Sequence, residues 1–254
     1  GAYAAFPYTL VVVGKGSQCS VVERVSGNAS VVCGVAEIIS GENATVSYAS
    51  LQTLGRDSRL LFTRHALPGK DSRVAWSAAE LGSSLSVSDV LVRIERTGVH
   101  ANVAALFFPS ARQHVDLVTN VEHSVGQSQS HTLVKSAATG FGQARYLGNI
   151  RIAPSAHGTE AALKDDALLL SKTAHIDSVP ALEIAANDVK AFHGATVGAI
   201  DEGVLFYMMS RGIERTAAEK LITLGFFEPA IARFPGEALR EEIRDALEPK
   251  IEQS

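Results

Sequence analysis

The stretch FHGATVG, residues 192–198, sets a single histidine, His193, beside Gly194 where two differently patterned halves of the chain meet. An imidazole there can ligate a metal, act as a general base near neutral pH, or hold a hydrogen bond in a packed seam. The surrounding sequence supplies no partner that decides among these. The chain has only two cysteines, Cys19 and Cys33, with no CxxC and no Cys/His spacing for zinc. His65, His114, His123, His131 and His157 are scattered without HExxH or paired spacing and read as structural or solvated. Neither a GxSxG nucleophile elbow nor a GxxxxGK[ST] phosphate loop occurs, so serine hydrolysis and ATP hydrolysis lack their usual local framework. Gly194 and Gly198 are poor evidence for a phosphate cradle and read as the means of a tight turn from sheet into helix.

Composition narrows the classes. The 254 residues are 46% hydrophobic and 20% charged, enough core for one large all-β domain or two smaller units. The formal net charge is −4 and no Lys/Arg block appears, so nucleic acid and anionic membranes have no electrostatic footprint. No apolar run approaches the ~20 residues that span a bilayer. The amino end, GAYAAFPYTLVVVG, lacks leading basic residues and is interrupted by Pro7, so it reads as a strand and not a signal peptide. Two isolated thiols suit a reducing cytoplasm.

From residue 8 to about 190, short runs such as YTLVVV, SVVERV, RVAWSAAEL and LSVSDVLVRIER alternate apolar and polar side chains, the period of strands. The turns between them repeat: GSQCSV (16–21), GENATV (41–46), GSSLSV (82–87) and GVHANV (98–103) all read Gly-x-x-x-polar-Val. A glycine corner with positive φ followed by a short strand suits a coiled β-solenoid. Because the glycines are unevenly spaced, the coils would vary in length, and a β-sandwich of short strands accounts for the pattern equally well.

After Ile200 the period becomes helical. DEGVLFYMMSR has Asp201 as N-cap and Gly212 just past its end. Its aromatics and methionines at helical spacing read as core or docking surface, not as a cofactor stripe. TAAE (216–219) reads as a capping box opening a second helix that Pro229 ends or kinks. GEALREEIRDALEPK places Leu239, Ile243 and Leu247 on one face of an amphipathic surface helix.

PALEIAANDVKAFHGATVGAIDEGVLFYMMSRGI (180–213) resembles the SufB/SufD family of iron–sulfur cluster assembly, whose pattern is an LEI strand, DDVK, HGATVG, an acidic helix start, LFY and SRGI. SHTLVKSAATGFGQARYLGNIRIAP (130–154), DDALLLS (165–171) and AAEKLITLGFF (217–227) carry it further; before residue 130 only strand and turn character supports it. The resemblance implies a mostly β chain: a right-handed parallel β-helix over 1–198 and a small C-terminal α-helical domain over 199–254. The helical amino-terminal domain usual in the family has no counterpart before the first strand. The implied role is a non-catalytic, cytoplasmic scaffold that pairs with a SufB-like subunit, or with itself, and recruits the SufC ABC-type ATPase. No cofactor is expected to be held stably by this chain alone. His193 is the implied ligand for iron or a nascent cluster at the subunit interface, against a plain hydrogen-bonded interface histidine. Phe206, Tyr207, Arg211, Gly212, Ile213, Leu221 and Phe226 fall in the region implied to dock SufC.

In SufB-type chains the seam reads Glu-His-Glu and a cysteine stands where this chain has Asp165, so the SufD-like role fits better. Some SufD chains carry a cysteine at the position of Ala191, and any role of that thiol does not transfer. Two rivals remain: a self-pairing homodimeric scaffold working with SufC alone, and a β-helix acyltransferase with His193 as base, which lacks that class's hexapeptide repeats.

Overall fold

The computed structural model of the protein describes residues 3–252; residues 1–2 and 253–254, the outer ends of the two expected units, lie outside the described residues. The strands are β1 (Ala4–Ala5), β2 (Tyr8–Val13), β3 (Gln18–Gly27), β4 (Val31–Ser40) and β5 (Thr45–Leu54). Then follow β6 (Arg59–Leu67), β7 (Arg73–Glu80), β8 (Leu85–Ile94), β9 (His100–Phe107) and β10 (His114–His123). The series closes with β11 (Gln129–Ala138), β12 (Gln143–Ile152), β13 (Thr159–Leu169), β14 (His175–Ile184) and β15 (Val189–Ala199). Three helices follow: α1 (Glu202–Ser210), α2 (Arg215–Ile231) and α3 (Glu237–Ile251).

From β3 onward alternate strands go to two sheets, β4-β6-β8-β10-β12-β14 in one and β3-β5-β7-β9-β11-β13-β15 in the other. Pairing within both sheets is parallel. That pattern is a β-helix, and it removes the antiparallel sandwich. Rungs vary as the uneven glycines require: Thr45 pairs with Arg73, Arg73 with His100, His100 with Gln129, and Gln129 with Glu160. Pro7 splits the first rung into β1 and β2, both on β4, and its carbonyl accepts from Val35 N.

The repeated corner has two physical sources. Gly16 (φ 68°) and Gly98 (φ 73°) take the left-handed conformation the sequence predicts, but in GENATV it falls on Asn43 (58°) and in GSSLSV on Ser83 (64°). Gly82 is needed for contact instead: a Cβ there would stand 2.2 Å from Leu54 N on the preceding rung. Along one edge, Gly16, Asn43, Asp71, Gly98, Gln127 and Gly158 each donate their N–H to the next rung at 2.7–3.0 Å, so the corners themselves are laddered.

FHGATVG departs from the expected turn. It lies wholly within β15, with Leu163 opposite His193 and Leu168 opposite Gly198, because the ladder to β13 continues to Ala199. The chain turns at Ile200 and Asp201, and Asp201 Oδ1 accepts from Gly203 N (2.7 Å) and Val204 N (3.2 Å), capping α1 as predicted. Gly212 (φ 86°) closes α1, with Gly212 N on Met209 O and Ile213 N on Met208 O, a Schellman arrangement. The TAAE box does not cap α2. That helix starts two residues earlier, with Glu214 and not Thr216 at the N-cap position; Glu214 makes no side-chain cap, and Arg215 draws Glu219 into an ion pair at 2.9 Å. Pro229 sits inside α2, which runs on to Ile231.

Leu239, Ile243 and Leu247 are buried, as the period of α3 requires. With Phe227, Ile231 and Phe234 they cover Leu51, Leu81, Leu106 and Phe108 on the outer face of the β15–β3 sheet. Arg24 on β3 clasps Glu242 on α3 at 2.6 and 2.8 Å.

Inside the coil, inward residues alternate with outward ones. Tyr48 stacks on Trp76 (centroids 4.8 Å), and a second cluster gathers Phe107, Leu117, Tyr146 and Leu163. Two charged sites interrupt the apolar lumen. Arg64 Nη2 meets Glu80 Oε1 at 2.9 Å, both side chains 1% exposed, and Ser86 and Ser88 donate to the same carboxylate. Nearer the other end, Asp165 on β13 is fully buried and accepts the Ser178 hydroxyl on Oδ2, while Oδ1 has no partner among the described residues. Desolvation pushes its pKa up to about 6, although the Ser178 bond pulls the other way.

Removing one member of a buried pair strands the other, at a cost of about 3–5 kcal/mol. Arg64→Met is therefore expected to lower unfolding stability by that much in urea titration, and Arg64→Met combined with Glu80→Leu to recover most of it. Equal losses in the single and double variants would remove the pair from the account.

For Asp165 the raised pKa means the folded chain holds the proton more tightly than the unfolded one. The stabilisation is fully present below the unfolded value near 3.8 and disappears as pH rises through about 6. A shift of that size corresponds to roughly 3 kcal/mol. Asp165→Asn is expected to flatten the stability profile across this window and to raise the melting temperature at pH 7. A profile identical to that of the parent chain would contradict it.

Candidate functional site at the open end of the coil

Strand pairing runs out at the last rung. β14 pairs only with β12 and β15 only with β13, so one edge of each carries backbone groups with no strand beside them. Unpaired edges of this kind recruit another chain unless they are covered or charged. Here the rung exposes Val179 on β14 and Phe192 and Val197 on β15, Phe192 at 60%, while its charged His175, Asp177, Glu183 and Lys190 are engaged in ion pairs.

His193 stands on this rung. Its register partner Leu163 is a buried lumen residue, so the imidazole occupies the lumen-facing side of β15, exposed because no further rung covers it. It makes no hydrogen bond or ion pair among the described residues, unlike a histidine satisfied inside a packed core. His123 is that kind of residue: fully buried, with Ser128 Oγ at 2.7 Å and Ser130 Oγ at 2.8 Å on its two nitrogens, and held neutral by burial at a pKa of about 4. Two positions along the strand from His193, Ala195 lies opposite Asp165. Deeper in the lumen the Tyr146 and Thr119 hydroxyls pair at 2.6 Å. Sequence reasoning weighed Asp165 only as a replaced cysteine. Two adjacent acids ahead of the apolar run ALLLS were the available signal for a lumen carboxyl.

On the outer face the last rung is tied to the helices. Thr196 Oγ1 donates to Asp166 Oδ1 at 2.7 Å, Lys135 Nζ binds Asp166 Oδ2 at 2.8 Å, and the same ammonium lies 4.4 Å from the Phe226 ring on α2.

No three His, Cys, Asp or Glu side chains converge on a metal-sized site among the described residues. Cys19 and Cys33 are free thiols on β3 and β4. From β3 to β15 the sheet has six strand spacings, roughly 29 Å at ~4.8 Å each. The donor set near His193 therefore offers one imidazole and a recessed carboxyl, and no thiolate.

The helical candidates divide. Phe206 (73% exposed) and Tyr207 (59%) stand out from α1 with Val204 and Met209, and only Leu205 of this helix is buried. Leu221 is exposed on α2. Arg211 lies over the Tyr207 ring at 5.3 Å, and Gly212 and half-buried Ile213 form the turn between α1 and α2. Phe226 is half-buried and packs on Phe227 and Lys135.

Residues 1–226 match the family described as SUF system FeS cluster assembly, SufBD core domain. The match therefore reaches through the early strands, where strand and turn character was the only signal. An iron–sulfur cluster assembly SufBD family protein of Mycobacterium leprae is 33% identical over 164 residues, 64% of this chain and 19% of the relative. The iron–sulfur cluster assembly protein SufD of Escherichia coli is 35% identical over 141 residues, 56% of this chain and 33% of its own length. A SufBD family protein of Mycobacterium bovis is 31% identical over 180 residues, 68% of this chain and 45% of the relative. The chain thus spans between about a fifth and just under half of the curated relatives it matches. A parallel coil with an unpaired last rung, matched to one core-domain family along nearly all its length, belongs to the SufBD family of iron–sulfur cluster assembly proteins.

Proposed function

We propose that the protein is a SufD-like, non-catalytic scaffold subunit of a cytoplasmic SUF assembly complex. The observation that carries this reading is the unpaired edge of β14 and β15, with Val179, Phe192, Val197 and His193 exposed upon it. A SufB-like subunit pairs across that edge, satisfying the free backbone groups and covering Val179, Phe192 and Val197. The SufC-like ATPase docks on α1, whose Phe206, Tyr207, Val204 and Met209 form an aromatic- and methionine-rich surface of the type partners bury. Iron or the growing cluster is cargo of the complex. His193 contributes one nitrogen ligand, and the thiolates that iron–sulfur chemistry needs come from the partner. Self-pairing would bring two imidazoles together with no cysteine beside them, which disfavours the homodimer as the assembling unit. The absence of hexapeptide repeats speaks against acyl transfer.

Co-purification with SufB-like and SufC-like proteins tests the arrangement. Val197→Lys is expected to release the SufB-like subunit and keep the ATPase. Phe206→Asp with Tyr207→Asp is expected to do the reverse. His193→Ala should leave both partners bound and reduce the iron retained by the complex. Retention of the ATPase by the double variant would sink the docking assignment, and undiminished iron in His193→Ala the ligand assignment. Deleting all of α1–α3 is a poorer test, because it would uncover the sheet face they protect.

A further inference from the structure

The helical cover of the β15–β3 sheet does not reach the beginnings of its strands. α2 ends at Ile231, and Ala232 and Arg233 then cross above Ser77 on β7, whose hydroxyl donates to Arg233 O at 3.2 Å. Under the helices this face carries Leu81, Leu106 and Phe108, and past the crossing it carries the smaller Ala75, Asn102 and Ala104. The difference in side-chain size leaves a recess of about 260 Å³, lined by Ser77, Asn102, Ala104, His131, Leu133 and Arg233.

Cations and N–H donors gather around it without counter-charges. Arg233 and His131 are exposed on the lining. Two positions earlier along β7 and β9, roughly 7 Å away, Arg73 and His100 stand side by side on the same outer face. Their chain neighbours Val74 and Ala101 belong to the lumen core. None of these four side chains makes a hydrogen bond or ion pair among the described residues. Glu160, opposite Gln129 on the next strand, is held instead by Lys190 at 2.7 Å, and His131 exerts only the least of the pulls on it. The carbonyls of the turn after α2 are engaged as well, Arg233 O by Ser77 and Ala232 O by Arg240 Nη2 at 3.1 Å. What the recess offers an incoming group is therefore guanidinium, imidazole and amide N–H. Such a set matches an oxyanion, and a phosphate monoester, with three free oxygens against the two of a carboxylate, engages more of it.

We propose that this recess binds a small molecule bearing a phosphate group, its oxygens between Arg233, His131 and Asn102, with Arg73 and His100 at the margin. The site lies at the opposite end of α2 from α1 and over β7, β9 and β11, not over the open rung, so it neither requires nor overlaps the partner surfaces proposed above.

Isothermal titration of the full chain at low ionic strength with inorganic phosphate, ethyl phosphate and acetate tests it. The expected result is saturable binding of one or both phosphates and none of acetate. Arg233→Ala and His131→Ala are each expected to weaken it about tenfold or more, the loss of one charge-assisted contact. Since neither side chain holds another part of the protein, both variants should melt at the parent temperature in phosphate-free buffer. Arg112→Ala serves as the control and should bind as the parent does. That exposed arginine lies past the other end of β9, on the seven-step corner from Phe107 to His114 that adjoins the five-step corner from Glu80 to Leu85. No saturable phosphate binding, acetate binding as tight as phosphate, or an equal loss on Arg112→Ala would overturn the proposal.

Discussion

Parallel coils must stack in register, and almost every other property of this molecule follows from that. A strand of one rung can satisfy its backbone only by lying beside the same strand of the next, with matched residues side by side on matched faces. The ladder therefore decides which side chains enter the lumen at every level. Polar groups admitted there can find partners only inside, as Arg64 does in Glu80 and His123 in two serines, and Asp165 Oδ1 is left without one among the described residues. At the end of the series the same rule has no further strand to act on. That leaves the rung that carries His193 open.

Much of this was legible in the chain. Alternation found the strands because inward and outward positions differ in polarity along nearly every rung, and the helical tail announced itself through Asp201, Gly212 and the Leu239–Ile243–Leu247 row. The glycine corners pointed to a solenoid, but they could not separate it from a sandwich, since a turn residue reports local φ and not which strand lies next door. Nor could pattern tell that Gly82 serves contact while Ser83 takes the left-handed turn. FHGATVG was read as a turn because glycines usually mark one; a ladder of eleven residues to β13 overrode that local tendency. Asp165 escaped for a related reason. It looks like an ordinary surface charge in one dimension, and only the coil withdraws it from water.

The helices are less separate than a change of period implies. They close the outer face of one sheet through Phe227, Ile231, Phe234 and the α3 row, so that face is core and not surface. Phe226, Lys135, Asp166 and Thr196 then form a continuous chain of contacts from α2 to β15. A load applied to the helical end thus has a short mechanical route to the open rung.

The shortened corner between Glu80 and Leu85 has an evolutionary consequence. Two residues are missing there relative to the adjoining levels, yet the ladders on either side resume without a slip. Loss or gain of chain at one bend is absorbed locally, since each level answers only to the two it touches. Lineages built on such a coil can therefore sculpt new pits and bumps along a bend while inheriting the rest of the body unchanged, and successive novelties need not compete for the same tolerance.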